Sequence, residues 1–232
     1  MKPIVSLRRA LDDPDLLGSI LAGPTWLPWR AVLVAAMGEP LLLDEREAFT
    51  RLTGRPQEPL HRVEEFWGIG RRGGKTRAAA TLAVYISALC DHSGSLATGE
   101  RGLCLCLAQN QRTAAVAFSY AAAIFESQPL LRGLVANRTV DTLSLSTGVD
   151  LEIRPASFRG LRGVTAVAVI ADEAAFWYTD EASANAVTEI LNAVRPALAT
   201  TGGPLVVISS PYAKRGEVYG AIASTSVPVA IR

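Results

Sequence analysis

Gly70-Arg71-Arg72-Gly73-Gly74-Lys75-Thr76 is a glycine-rich turn that ends in a lysine and a hydroxyl. Glycines, lacking a Cβ, let successive peptide N–H groups turn inward around an anion. A helix starting at the lysine would add the partial positive charge of its N-terminus. Lys75 would then reach the β- and γ-phosphates of a nucleotide, and the Thr76 hydroxyl would ligate Mg2+. The pattern departs from G-x-x-x-x-G-K-[ST] at one place: Ile69 stands where the first glycine belongs, and Gly70 comes one later. A turn with a solvated lysine has the same composition, but a strand before it and a helix after it favour phosphate.

Asp172-Glu173 follows the apolar run Ala166–Ala171 and supplies the other half of that chemistry. The first acid of such a pair holds Mg2+, directly or through water. The second can polarise the attacking water as a general base. Acids capping a helix N-terminus would look alike on their own. Lys-Thr and Asp-Glu together are far more specific than either pair alone. A rival motif overlaps the turn. Gly68-Ile69-Gly70-Arg71-Arg72-Gly73 spells G-x-G-x-x-G with Asp91 further on, as in NAD-binding Rossmann domains. That reading leaves Gly74-Lys75-Thr76 without a role.

The elements that must position these groups alternate strand and helix. Apolar runs predict buried strands near 66–69, over 102–108, 165–171 and 205–209. Helical patterns fall at 75–89, 111–126 and 183–198, the last ending at Pro196. Val140–Leu145 and Val149–Arg154 alternate around Ser146-Thr147-Gly148 as a hairpin does. The fold expected is α/β: a P-loop NTPase with a mostly parallel sheet flanked by helices. Ligands of such sheets bind beyond the carboxyl ends of the strands. Those ends carry the turn at 70–76, Gln109-Asn110, Asp172-Glu173 and Ser209-Ser210. Residues 1–60, broken by several prolines, predict a small helical extension or lid with helices near 29–37 and 44–52. Arg55–Pro59 is the candidate linker, and 61–232 the ATPase core.

Composition narrows the partners. The 232 residues are 49% hydrophobic and 19% charged, with 23 Lys+Arg against 22 Asp+Glu. A net charge of +1 excludes a protein that grips nucleic acid over its whole surface, so any such contact is local. Three cysteines argue against a disulfide framework and suit a reducing compartment; Cys104 and Cys106, inside an apolar run, read as buried thiols. Two distant histidines offer no zinc site. No segment reads as a membrane span or a signal peptide, which predicts a soluble intracellular protein.

GRRGGKT, then VIADEAAFW, then VVISSPYAKRGEVY, resembles the large terminase subunit of tailed bacteriophages, the ATPase that pumps DNA into capsids. The likeness runs from Leu27 to Tyr219. It implies ATP and Mg2+ as cofactors and double-stranded DNA as partner. It also implies self-assembly into a ring with the portal and the small terminase subunit, in the host cytoplasm. Arg71 matches the family's arginine ahead of the loop lysine, implicated at the γ-phosphate, although spacing alone does not separate it from Arg72. Arg162-Gly163, with Arg159-Gly160 as a near duplicate, matches an Arg-Gly pair whose arginine reaches a neighbouring subunit's ATP in some members. Both arginines equally suit DNA phosphates or solvent. Ser209-Ser210 resembles the motif that couples hydrolysis to movement. Leu27-Pro28-Trp29-Arg30 falls at the adenine-contacting motif, with Arg30 where the family has glutamine. The family's C-terminal nuclease domain is expected to be absent from this chain. A helicase-like motor and a nucleotide-binding fragment without catalysis of its own are the alternative functions.

Overall fold

The computed structural model describes residues 1–157, 161, 163–177, 186–212, 216–223 and 228–231. In chain order the elements are β1 (Lys2–Pro3), α1 (Leu7–Asp12), α2 (Leu27–Ala36), α3 (Leu43–Thr53), β2 (Glu65–Ile69), α4 (Lys75–Leu89), β3 (Cys90–Asp91), β4 (Gly102–Ala108) and α5 (Gln111–Ser127). Then follow α6 (Pro129–Arg132), β5 (Val135–Arg138), β6 (Thr142–Leu145), β7 (Val149–Pro155), β8 (Ala166–Asp172), α7 (Ala186–Ala199), β9 (Leu205–Ser209), α8 (Gly216–Ala223) and β10 (Val229–Ile231).

Eight strands form one sheet in the order β10-β2-β9-β8-β4-β7-β6-β5. Neighbours from β2 through β7 are parallel, while β10 and the β5–β6 meander add antiparallel edges. Successive side chains of a strand point to opposite faces. The apolar runs therefore load both faces. Phe66, Cys104, Cys106, Ile170 and Ile208 join a core with α4, α5 and the N-terminal helices. Trp67, Leu105, Val169 and Val207 join a second core with α7 and α8. The expected mostly parallel sheet with helices on both faces is what the chain forms. All three cysteines are free and buried, and burial pushes the Cys104 thiol up to about 12.

The first 60 residues pack closely on this frame. Residues Ala31–Ala36 of α2 are all buried, in the same core as Phe66 and the inner face of α4. A helix apolar all round must be enclosed in this way. Arg8 on α1 reaches both carboxylate oxygens of Glu45 on α3, and Glu39 accepts from the N–H groups of Leu7 and Arg8. Arg55, in the candidate linker, donates to the carbonyl of Ile231 on edge strand β10 at 2.6 Å.

Helix α4 spans the range expected. Helix α7 differs from the expectation that Pro196 ends it. Pro196 lies inside, and the helix runs on to Ala199 because Ala197 and Leu198 are buried in the second core. Burial outweighs the loss of one N–H. The ribbon β1–β3, the edge strands β5 and β10, and α8 were not legible from periodicity. No helix among the described residues is long and apolar enough to cross a membrane.

Candidate active site at the strand ends

Register pairs Ile69 with Ser209, and Asp172 with Ile208, so β2, β9 and β8 end level with one another. The glycine-rich turn leaves β2 and enters α4 at Lys75, with Gly74 as the N-terminal cap residue in the left-handed conformation at φ 75°. Glycine is required there twice over. A Cβ would lie 2.6 Å from the Trp26 ring, as well as being strained. Lys75 is 8% exposed, and its Nζ donates to the Gly70 carbonyl at 2.7 Å. Arg71 and Arg72 are exposed in the turn, Arg72 with φ 53°.

Asp172 is the last residue of β8 and is buried. Thr76 donates its hydroxyl to Asp172 Oδ2 at 3.4 Å. The indole of Trp177 donates to the Asp172 carbonyl at 3.0 Å and fixes the strand tip. Asp172 Oδ1 is buried without a hydrogen-bond partner. Burial first, and then the charge of Glu173, push the Asp172 carboxyl up to about 6, against the opposing pull of Lys75 and Thr76. An ionised carboxylate left this way is costly unless a cation or a donor meets it. The orphaned oxygen next to a threonine hydroxyl fits Mg2+, which takes one or two protein oxygens and completes its shell with water and phosphate. Among the described residues no group of three or more His, Cys, Asp or Glu side chains gathers as a metal cage.

Glu173 adopts a left-handed backbone, φ 49° and ψ 41°, uncommon for a residue with a Cβ. Its carboxylate is held by the end of β9. Ser210 N–H donates to Oε2 at 2.9 Å, and the Ser210 hydroxyl reaches Oε1 at 3.3 Å. Ser209 is the junction of the site. Its carbonyl accepts from Gly70 N–H at 3.0 Å, at the start of the turn. Its fully buried hydroxyl accepts from Ala175 N–H at 3.0 Å and lies 3.4 Å from Glu173 Oε2. Ser209 thus touches the glycine-rich turn with its backbone and the acid tip with its side chain. The ring of Tyr212 packs on Phe176, with centroids 4.8 Å apart, and adds a second tie between these segments.

Beside the turn lies a cavity of about 250 Å³, lined by Pro28, Trp29, Leu52, the Gly68–Gly70 backbone, Lys75 and Pro228-Val229. Trp29 donates its indole N–H to the Gly73 carbonyl. Gly68 makes room for the ring, because a Cβ there would sit 3.1 Å from Trp29 Cη2. Trp26 covers Gly74 and carries the Arg77 guanidinium 5.0 Å above its ring.

Most of the residues expected at the site therefore meet. Lys75, Thr76, Asp172, Glu173, Ser209 and Ser210 form one connected group, with Gly70, Gly73 and Trp29 against it. Arg30 does not join them. Its guanidinium turns to the Leu11 carbonyl, 2.7 Å away, and to the Asp12 carboxylate. Arg159, Gly160 and Arg162 lie outside the described residues. The dinucleotide alternative lacks its geometry. Gly68 is inside β2, and Asp91 follows the far end of α4, about 20 Å along the helix from the turn at 1.5 Å per residue. Sequence reasoning missed Trp177, Trp26, Leu52 and Pro228-Val229. The two tryptophans, adjacent to motifs, carried a signal; the convergence of Leu52 and Pro228-Val229 on one cavity did not.

No family model and no curated protein matches the sequence. Solved structures similar to this chain include two phage large terminases. One is the large terminase of bacteriophage HK97, at 17% identity and a TM-score of 0.49, over 72% of this chain and 34% of that one. The other is a mutant of the large terminase ATPase domain of Thermus phage P74-26, at 19% identity and a TM-score of 0.46, over 65% of this chain and 61% of that one. The chain thus spans 34% and 61% of the lengths of these two proteins.

Proposed function

We propose that this chain is the ATP-hydrolysing part of a motor that drives double-stranded DNA into a viral capsid. The observation that carries the hydrolase reading is the meeting of Thr76 with Asp172, a carboxylate whose second oxygen is buried and unpartnered, beside a lysine-bearing glycine turn. The packaging role rests on the motif resemblance over 27–219.

The residues divide the work. The N–H groups of the turn and Lys75 bind the β- and γ-phosphates, Lys75 exchanging the Gly70 carbonyl for phosphate oxygen. Thr76 and Asp172 would hold Mg2+, which would supply positive charge to neutralise the phosphate oxygens. Glu173 orients a water molecule in line with the γ-phosphate and accepts its proton. Ser209 and Ser210 keep that carboxylate in one place, and the strain at Glu173 makes the position sensitive to movement of β9. Arg71 meets the charge that develops on the transferring group. Arg162 plays the same part for a neighbouring subunit's ATP in a ring with the portal and small subunit, at work in the host cytoplasm.

Steady-state phosphate release tests the first half: Mg2+-dependent ATP turnover that stops with chelator supports it, and its absence in a folded, assembled protein contradicts it. Translocation on blunt duplex DNA tests the second half; strand separation instead would make the chain a helicase-like motor.

A further inference from the structure

We infer that Trp177 is a positioning residue for Glu173: its indole N–H, by holding the Asp172 carbonyl, keeps the Glu173 backbone in the conformation that aims its carboxylate. The inference rests on the proposed role of Glu173 as general base and adds the group that sets its direction.

The direction in which a side chain leaves the backbone is fixed by the two peptide planes beside it, whose relative orientation is φ and ψ. At Glu173 both planes are tied. The plane before it carries the Asp172 carbonyl, which accepts from Trp177 Nε1 at 3.0 Å. The plane after it carries the Glu173 carbonyl, which accepts from Phe176 N–H at 2.9 Å. The next plane is tied as well, through Ala175 N–H on the Ser209 hydroxyl at 3.0 Å. Held in this way, Glu173 stays at φ 49° and ψ 41°. Left-handed backbone is disfavoured by about 5–30-fold for a residue with a Cβ, so it persists only where the surroundings hold it.

Trp177 is the side chain that acts on φ. It is 3% exposed and shares the second core with Val169, Leu191 and Val207, so its ring is anchored among the sheet and α7. A buried indole needs an acceptor, and any carbonyl in reach would satisfy it. The one it has is the carbonyl whose plane sets φ of the strained residue. Ser210 holds the carboxylate at the other end of the same side chain. Trp177 thus fixes the root of Glu173, and Ser210 its tip. Without the indole N–H the backbone relaxes toward ordinary φ and ψ, Cβ swings, and the carboxylate moves off the water it orients. The glycine-rich turn is untouched by that change.

Trp177→Phe keeps an aromatic ring in the core and removes the N–H. Steady-state turnover, ATP affinity and the half-saturating Mg2+ concentration are measured with the whole chain. A fall in kcat of about 5–30-fold is expected, with ATP affinity and the Mg2+ requirement within about twofold of wild type. A cycle with Glu173→Ala gives the readout that a structural role would not move. In that background Trp177→Phe is expected to change the residual rate by less than about twofold, because the group it aims is gone. An equal fall in both backgrounds or an unchanged kcat overturns the inference. So does a raised Mg2+ requirement, which would place the effect on the Asp172 carboxylate. Should Trp177→Phe fail to fold, replacement of Trp177 by benzothienylalanine, with sulfur for N–H in a ring of the same shape, takes its place with the same expectations. Wild-type turnover that Trp177→Phe leaves unchanged removes this inference and leaves the proposed function standing. No turnover by the wild type, or normal turnover by Glu173→Ala, removes the general base and this inference with it.

Discussion

The two halves of the candidate site are made of different material. On the loop side the groups that face the ligand are peptide N–H groups, a helix end and one lysine, set by Gly74 and braced by Trp26 and Trp29. On the acid side everything depends on a few side-chain oxygens: Asp172 Oδ1, Glu173 Oε1 and Oε2, and the hydroxyls of Thr76, Ser209 and Ser210. A backbone cradle binds anions whatever its exposed side chains are, which lets Arg71 and Arg72 occupy it without disturbing it. A side-chain cluster is specific to single atoms and fails one atom at a time. Binding should therefore belong mainly to the loop half and chemistry to the acid half. Ser209 joins the two.

The largest effect should come from Lys75→Ala. It removes the buried side-chain charge of the cradle, and no measurable nucleotide binding or turnover is expected by calorimetry and phosphate release. Normal turnover would show that the loop does not bind phosphate. Glu173→Ala should break the other half selectively. Turnover should fall by about 10²-fold or more with affinity for ATP kept, as expected of a lost general base. Lost affinity with little change in rate would move Glu173 to a structural role.

Asp172→Asn sharpens the contrast through stability. Without metal, in chelator, the folded-state pKa of Asp172 stands near 6 against an ordinary value of 3.8. A raised carboxyl pKa favours the folded protein fully below pH 4, and that advantage is lost as pH rises through 6. The variant carries no such charge. It should match wild type at pH 4 and exceed it by roughly 2–3 kcal/mol at pH 8, since one pKa unit is worth about 1.4 kcal/mol. Equal denaturation midpoints at pH 8 would mean that the buried carboxylate is better satisfied than its geometry implies.

The smallest change concerns the junction. Ser210→Ala removes one hydroxyl contact to Glu173 but keeps the N–H that donates at 2.9 Å. A drop of about 2–10-fold in kcat is expected, the worth of one hydrogen bond, with KM unchanged. An unchanged denaturation midpoint should accompany that drop, whereas a purely structural role for Ser210 would lower the midpoint and leave kcat in place.

Much of this contrast was legible in the sequence. The loop half is contiguous, so glycines, lysine and threonine could be read directly, and the apolar runs at 102–108 and 205–209 announce strands buried on both faces. The acid pair was legible because a charged tip on such a run has few other uses. The tie between Ser209 and both halves was not, because it depends on parallel register between strands far apart in the chain. The cavity escaped for the same reason: Pro28, Leu52 and Val229 come from separate elements. The motif resemblance places Arg30 beside Trp29 at the site, but neighbours on a helix point to different sides, and Asp12 draws it away. Pro196 illustrates a local rule overridden by packing.

The most direct test is a crystal structure of the protein with Mg2+ and a non-hydrolysable ATP analogue. The account predicts the β- and γ-phosphates inside the 70–76 turn with Lys75 Nζ on phosphate oxygen. It also predicts the metal between Thr76 and Asp172, and Glu173 within one water of the γ-phosphate. Phosphates bound away from this turn, or a metal that leaves Asp172 Oδ1 unpartnered, would contradict it.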